Sequence, residues 1–309
     1  MLKNQQVDFT DRNTSSYFEH DTAKEVFRLK LPARAVAFQI IKGGTGKTSL
    51  AQSFAIRASL YGLKVLCIDL DQQGNLTSTF TVDAESYPIM VDILAEGYSF
   101  ESAIIKATPG IDLLASRIEN ALLDDVIKLK QIPLDKVYKE QLALLKKRYD
   151  LIVIDCPPNL GQSVAAVTLG VDLVVAPVVP ENFALSGLKV TANAIEEIEA
   201  SYNVTIPFAI ALNKYDPRTI LSKEALETFK NHPKYSNHIL PNCIRMSQEF
   251  PNAAAKDKSI FDVVKATMAK TDIDLLTREI LGIDEFYEHK AEQPKKQSKS
   301  SSKLQAALV

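Results

Sequence analysis

"QIIKGGTGKTSL", residues 39–50, places glycines at 43, 44 and 46 directly before Lys47 and Thr48. Glycines at this spacing let backbone N–H groups converge on phosphate oxygens, and a helix opening at Lys47 adds the positive end of its dipole. In such a loop Lys47 reaches the β and γ phosphates and the Thr48 hydroxyl serves Mg²⁺. The flanks agree. "AVAFQII" before the loop reads as a buried strand, and "SLAQSFAIRASLYG" after it as a helix ending at Gly62, the strand–loop–helix setting of a P-loop. The generic pattern G-x-x-x-x-G-K-[ST] wants glycine where Ile41 stands, and a second lysine, Lys42, precedes the glycines. From its position alone Lys42 is either a solvated surface charge or a second cation for phosphate.

Working outward, "KVLCIDL", "DLLAS", "DLIVIDC", "DLVVAPV" and "FAIALN" follow as short apolar runs between helical stretches, with "HILPNCI" as a weaker one. Continuous rather than alternating apolar strands indicate a sheet covered on both faces. The expected fold is therefore α/β, a mostly parallel twisted sheet flanked by helices in βαβα order, with ligands at the carboxyl ends of the strands. "IFDVVKATMAKTDIDLLTREILG" reads as an amphipathic helix stopped by Gly282.

Three units are expected: a polar extension over 1–31, a P-loop ATPase domain over 32–284, and a Lys/Ser-rich tail over 285–309 whose composition predicts disorder. In the extension, Ser16 and Glu19 form a capping-box pattern, but the segment is too short for a helix-turn-helix module. With 36 basic and 38 acidic residues, the whole-chain charge offers no attraction to nucleic acid or anionic membrane, so either partner needs a local patch. Cys67, Cys156 and Cys243 lie far apart without C-x-x-C spacing, so they are expected as buried thiols rather than metal ligands or disulfides. No leader-like apolar region and no 18-residue apolar run is present, and a cytoplasmic protein is expected.

The stretch "KGGTGKTS" resembles the deviant Walker A signature of the ParA/MinD group of P-loop ATPases. The resemblance extends over roughly residues 34–282, and ParA/Soj-type partition ATPases match best. It implies that Lys42 crosses an ATP-sandwich dimer to the partner's phosphates, which would couple nucleotide binding, dimerisation and hydrolysis. The nucleotide site implied comprises Lys42, Gly43, Gly44, Thr45, Gly46, Lys47, Thr48 and Ser49, with ATP and Mg²⁺ as cofactors.

"KVLCIDLDQQGNLTSTF" is similar to the family's DxDPQGNxT segment, with Gln72 in place of its proline. Asp69 ends a strand, and Asp71 falls in the following loop, where the resemblance has it orient the attacking water. "YDLIVIDCPPNLG" resembles the Walker B segment: Asp155 is delivered to a strand end to hold Mg²⁺ with Thr48, and Pro157 and Pro158 stiffen the exit. Lys42, Lys47 and Asp71 form the implied catalytic set. "PVVPENFALSGLKV" resembles the family's PxxPExxALxGL stretch.

Asn213 can donate to and accept from a base edge. Asn213, Lys214 and Asp216 satisfy N-K-x-D, a guanine pattern, but the flanking "YDPRTILS" is similar to a ParA segment, which favours adenine, with GTP as the alternative. The loop led by Pro241 is expected over the base. Asn242 stands there for the family's arginine, and Lys256 and Asp257 for its His-Gly.

The function implied is that of a ParA-like ATPase: an ATP-bound homodimer that binds double-stranded DNA nonspecifically, is nucleoid-associated, and partitions plasmid or chromosomal DNA under a ParB-like centromere-binding adaptor. Arg218, Lys223, Lys230, Lys234, Arg245, Lys256 and Lys258 are the candidate DNA contacts, although the acids among them also suit a solvated face. The alternatives are a MinD-like membrane-associated positioning ATPase and ParA-like positioning of a protein cargo. "SSSKLQAALV" lacks the aromatic anchor of a membrane-binding amphipathic helix, so no membrane is expected. The cysteine positions do not suit a nitrogenase-reductase-like cluster, and the tail lacks a tyrosine cluster.

Overall fold

The computed structural model describes residues 34–283, apart from positions 81, 182–183, 257 and 263–266. The 1–31 extension with its Ser16/Glu19 pattern, and the 285–309 tail, lie outside the described residues. The strands are β1 (Arg34–Phe38), β2 (Val65–Asp69), β3 (Ile104–Thr108), β4 (Ile111–Leu114), β5 (Leu151–Asp155), β6 (Leu173–Val178) and β7 (Phe208–Leu212). They form one sheet in the order β3-β4-β2-β5-β1-β6-β7. Every pairing is parallel except that of β3 with β4.

The continuous apolar strands have the predicted cause. Val36 and Phe38 of β1, Val65 and Cys67 of β2, and Leu151 and Val153 of β5 pack on one face against Leu50 and Phe54 of the helix Lys47–Leu60 and Ile273 and Leu276 of the helix Met268–Leu281. The alternate residues, Ala35, Ala37, Leu66, Ile68, Ile152 and Ile154, face the other way. There they meet Val164 and Val167 of the helix Gln162–Gly170 and Ile127 of the helix Leu123–Leu129. A period of two with both phases apolar is what burial on both faces requires.

β1 lies between β5 and β6, so the chain after β1 crosses to one side and the chain after β5 returns to the other. This strand-order reversal opens the crevice in which open α/β sheets bind ligands, and the loop 39–46 leaves β1 there.

Three expectations are corrected. The βαβα order is interrupted by the hairpin of β3 and β4, turned through Gly110 at φ 83°. β3 is a half-exposed edge strand of five residues, too short and too polar to announce itself as an apolar run. "HILPNCI" forms no strand: Ile239 and Arg245 make isolated bridges to Ile210 and Tyr215, because Pro241 interrupts the ladder. The C-terminal helix begins at Met268, where the Thr267 hydroxyl accepts from the Lys270 N–H, and ends at Gly282 with φ 65°. This helix is locked to the one following the P-loop: buried Arg57 donates to Asp274 at 2.5 Å and Tyr61 to the same oxygen at 2.6 Å.

Candidate functional site

The loop 39–46 is held in its shape from β7. Gly44 and Gly46 adopt φ of 73° and 93°, in the region that favours glycine, and Leu50 N–H donates to the Gly46 carbonyl at 2.9 Å to start the helix. A Cβ on Gly46 would lie 2.3 Å from Asn213 Nδ2, so space as well as conformation demands glycine. Asn213 Nδ2 donates to the Thr45 carbonyl at 2.8 Å, and Lys214 Nζ donates to the Gly44 carbonyl at 2.7 Å. Asn213 Oδ1 accepts from the Lys214 N–H at 2.9 Å. In this arrangement the Asn213 amide braces the loop. Lys214, which was not among the expected site residues, joins it through a left-handed backbone at φ 55°.

The acid of the guanine pattern is paired at the surface. Both Asp216 oxygens accept from Arg218, at 2.9 and 2.8 Å, and these bonds hold the carboxyl down at about 2. Pro241 is exposed in the chain beyond β7, and its neighbour Asn242 is turned to Glu279 of the C-terminal helix.

Three aspartates gather at the ends of β2 and β5. Asp69, fully buried, accepts from the Thr77 N–H and hydroxyl, each at 2.8 Å, and from the Asp71 N–H at 3.1 Å. Burial pushes its carboxyl up to about 6 even so. Asp71 lies in the loop after β2, as expected, and accepts from the Gln73 N–H at 3.0 Å.

Asp155 ends β5 with no exposed surface, and neither carboxylate oxygen has a hydrogen-bond partner of normal geometry among the described residues. Burial, then the neighbouring Asp69, push it well above the carboxylate range; the Thr48 hydroxyl and the Lys47 ammonium stand near enough to oppose the shift. A buried carboxylate without partners calls for a cation. No group of three or more His, Cys, Asp or Glu able to hold a metal occurs among the described residues. The single Asp155 carboxylate with the Thr48 hydroxyl beside it fits Mg²⁺, which takes one or two carboxylates and completes its shell with phosphate oxygens and water.

The two lysines of the loop point to different places. Lys47 is buried, its ammonium 3.4 Å from the Lys42 carbonyl; burial lowers its pKa, and Asp155 and Asp71 oppose that shift. Lys42 is half-buried and turned to the surface, with Nζ 2.7 Å from Glu181 Oε1. Glu181 precedes the helix Ala184–Tyr202, which packs against the loop entrance: a Cβ on Gly187 would lie 3.2 Å from Lys42 Cβ, and the Thr191 hydroxyl accepts from the Ile41 N–H. Glu181 was visible beforehand only as part of the "PENFALSGL" pattern. Gly43 and Ser49 are exposed, and Thr45 is buried.

Cys67 and Cys156 are buried, with burial raising their thiol pKa values. Cys243, expected to be buried, is only partly so because it sits in the irregular segment beyond β7. Of the candidate DNA contacts, Arg218 pairs with Asp216, Lys230 with Glu227, Lys234 with Glu196, and Arg245 in a two-pronged bond with Asp272. Lys223, Lys256 and Lys258 are exposed and make no ion pair with a described residue.

The AAA domain family model matches residues 33–208. The sporulation initiation inhibitor protein Soj of Bacillus subtilis is 30% identical over 221 residues, covering 70% of this chain and 87% of Soj. The chain belongs to the ParA/Soj-type deviant Walker A P-loop ATPases. Membership makes it an ATP-hydrolysing enzyme of a family that acts in partitioning or positioning. The cell division protein PomZ of Myxococcus xanthus is 28% identical over 270 residues, 85% of this chain and 83% of PomZ. Among solved structures, an ATP complex of an aspartate-to-alanine variant of Cyanothece McdA superposes with a TM-score of 0.72 at 20% identity, covering 82% of this chain and 97% of McdA. The ParA/Soj-type assignment rests on the sequence relatives; the structural likeness adds the fold.

Proposed function

We propose that this ATPase positions a protein assembly by cycling between a monomer and an ATP-bound sandwich dimer. The observation that carries the reading is the divergence of the two loop lysines. Lys47 turns inward toward Asp155 and Asp71, whereas Lys42 turns out to the surface, where a second subunit could receive it. With the family resemblance, that outward position supports Lys42 serving the partner's phosphates, while the N–H groups of Gly43, Gly44 and Gly46 cradle the chain's own.

Thr48 and the partnerless Asp155 carboxylate are the residues that would hold Mg²⁺, which when bound neutralises charge between the β and γ phosphates. Asp71 orients the attacking water. Asn213 acts by fixing the loop beneath the phosphates and contributes to the base site through its position, with Pro241 at its margin. ATP rather than GTP fits an Asp216 already closed by Arg218.

Two further observations bear on cargo and track. The likeness to the cell division protein PomZ runs over 85% of the chain, against 70% for Soj, which supports a positioning role beside partitioning. Of the seven basic candidates, Lys223, Lys256 and Lys258 make no ion pair with a described residue and are the most readily available to a phosphate backbone, while the other four are paired with nearby acids. A second reading keeps nonspecific DNA as the track, with a ParB-like adaptor as stimulator and a nucleoid-associated, cytoplasmic location. No helix among the described residues is long and apolar enough to cross a membrane.

Light scattering tests the dimer: Mg²⁺ and ATP are expected to double the mass of the native chain and leave Lys42→Ala monomeric. A nucleotide-independent oligomer removes the trans-lysine reading. Duplex DNA binding only with ATP, falling steeply with salt, supports the DNA track, whereas ATP-dependent sedimentation with anionic liposomes and no DNA affinity transfers the reading to a membrane.

A further inference from the structure

Two loops border the carboxylate side of the site: residues 70–74, which carry Asp71, and residues 156–161, which follow Asp155. Both are held by one segment, residues 116–124, that leaves the end of β4. The Ser116 hydroxyl donates to the Asp71 carbonyl at 2.7 Å, and the Ser116 N–H donates to Thr77 Oγ1 at 2.8 Å, whose own proton goes to Asp69. Asn120 Nδ2 donates to Ser116 Oγ at 2.7 Å, so that oxygen is an acceptor there and its proton is directed to Asp71. The Asn120 side-chain oxygen Oδ1 in turn accepts from the Val91 N–H at 3.1 Å, and Ser116 and Asn120 are both buried. The loop also packs closely: a Cβ on Gly74 would lie 3.0 Å from the Ser116 carbonyl oxygen.

Four residues after Asn120, the same segment reaches the other loop. Asp124 Oδ1 accepts from the Ser163 N–H at 2.7 Å in the first turn of the helix that follows Asp155, and its carboxylate fills the space a Cβ on Gly161 would need, 1.8 Å away. The buried chain through Ser116 and Asn120 has all its members partnered and is rigid, and partly buried Asp124 is joined to it through the intervening backbone turn; a misplacement of about 1 Å at a reacting centre costs about 100-fold in rate.

We propose that Ser116 and Asp124 are positioning residues that hold the Asp71 loop and the loop after Asp155 in a single frame, so that the water-orienting and metal-holding carboxylates keep a fixed separation. The proposal rests on the reading of Asp71 and Asp155 given above.

The test is steady-state ATP hydrolysis by the full chain with Mg²⁺, read as kcat and KM, with the melting temperature measured alongside. Ser116→Ala is expected to lower kcat about tenfold with KM within about twofold. Ser116→Thr, which keeps the hydroxyl, stays within about twofold of the native chain. Asp124→Ala is expected to lower kcat about fivefold, and Asp124→Asn, which keeps an acceptor for Ser163, to restore it. Because the two act through one frame, the double alanine variant loses no more than the worse single, where independent effects would multiply.

Asp71→Ala is run beside them. If it hydrolyses ATP at the native rate, the underlying reading of Asp71 fails. If it is inactive while Ser116→Ala and Asp124→Ala stay within twofold of native, or if their losses multiply, the frame is overturned. Should Ser116→Ala not fold, the Asp124 pair carries the same test.

Discussion

Asp155→Asn should strengthen the nucleotide-free fold while removing the site's response to magnesium. Asp69 sets the scale. Its carboxyl is pushed from 3.8 to about 6 by burial despite three hydrogen bonds, and a difference of 2.2 units at 1.36 kcal/mol each is about 3 kcal/mol. Asp155 is likewise buried and shifted upward by burial, and an unpaired buried charge carries a desolvation penalty on the order of a few kcal/mol. Asparagine removes the charge but leaves an amide with buried groups of its own, worth about 1 kcal/mol against it. The net gain is about 2 kcal/mol at pH 7.5, or about 4–8 °C in melting temperature for a domain of this size.

The pH dependence has a definite sign. A carboxyl raised on folding stabilises the fold fully below its unfolded value of 3.8, and that contribution is lost as pH rises through about 6 for Asp69; Asp155 is shifted in the same direction and acts with the same sign. The nucleotide-free native chain should therefore lose stability between pH 5 and 7.5 more steeply than Asp155→Asn. Mg²⁺ with ADP reverses the order: at 100 times Kd the native chain gains about 2.7 kcal/mol, and the variant gains no more than ADP alone provides. Thermal scans at the two pH values, with and without Mg²⁺–ADP, read all of this. A variant less stable than native without nucleotide, or one that keeps the magnesium-dependent gain, refutes the reasoning.

Gly46→Ala forces a Cβ to within 2.3 Å of Asn213 Nδ2 at a φ of 93°, so nucleotide affinity by fluorescent-ATP titration should fall by more than about 100-fold while the melting temperature drops by only a few degrees. Asp274→Ala removes the acceptor shared by buried Arg57 and Tyr61, and urea unfolding should show a loss of about 1.5–3 kcal/mol with nucleotide affinity nearly unchanged in the remaining folded protein. Arg218→Ala frees the Asp216 carboxylate, and the preference for ATP over GTP in competition binding should persist; a switch to GTP would restore the guanine reading of N-K-x-D.

What could be read in advance divides along the range of the interaction. β1, β2, β5, β6 and β7 announce themselves because a strand covered on both faces must be apolar at every position, which is a local signature. β3 carries none: at the sheet edge its residues are half exposed, and its pairing is specified by Gly110 and by β4. The loop at 43–46 was legible because its glycines answer a local backbone demand. The bond from Asn213 to Thr45 spans 168 positions, and the pairing of Lys42 with Glu181 spans 139. No periodicity encodes such partners.

The distinction bears on the functional reading. Lys42 in the sequence is an extra cation for phosphate; in the folded monomer it is an ion pair about a third exposed on the Lys42 side. Exposed pairs of this kind are worth about 0.2–1 kcal/mol, whereas a lysine on a partner's phosphates gains a charge-assisted bond to a much larger anion. On the proposed reading, the pairing with Glu181 is weak enough to be exchanged for a partner's phosphates on dimerisation.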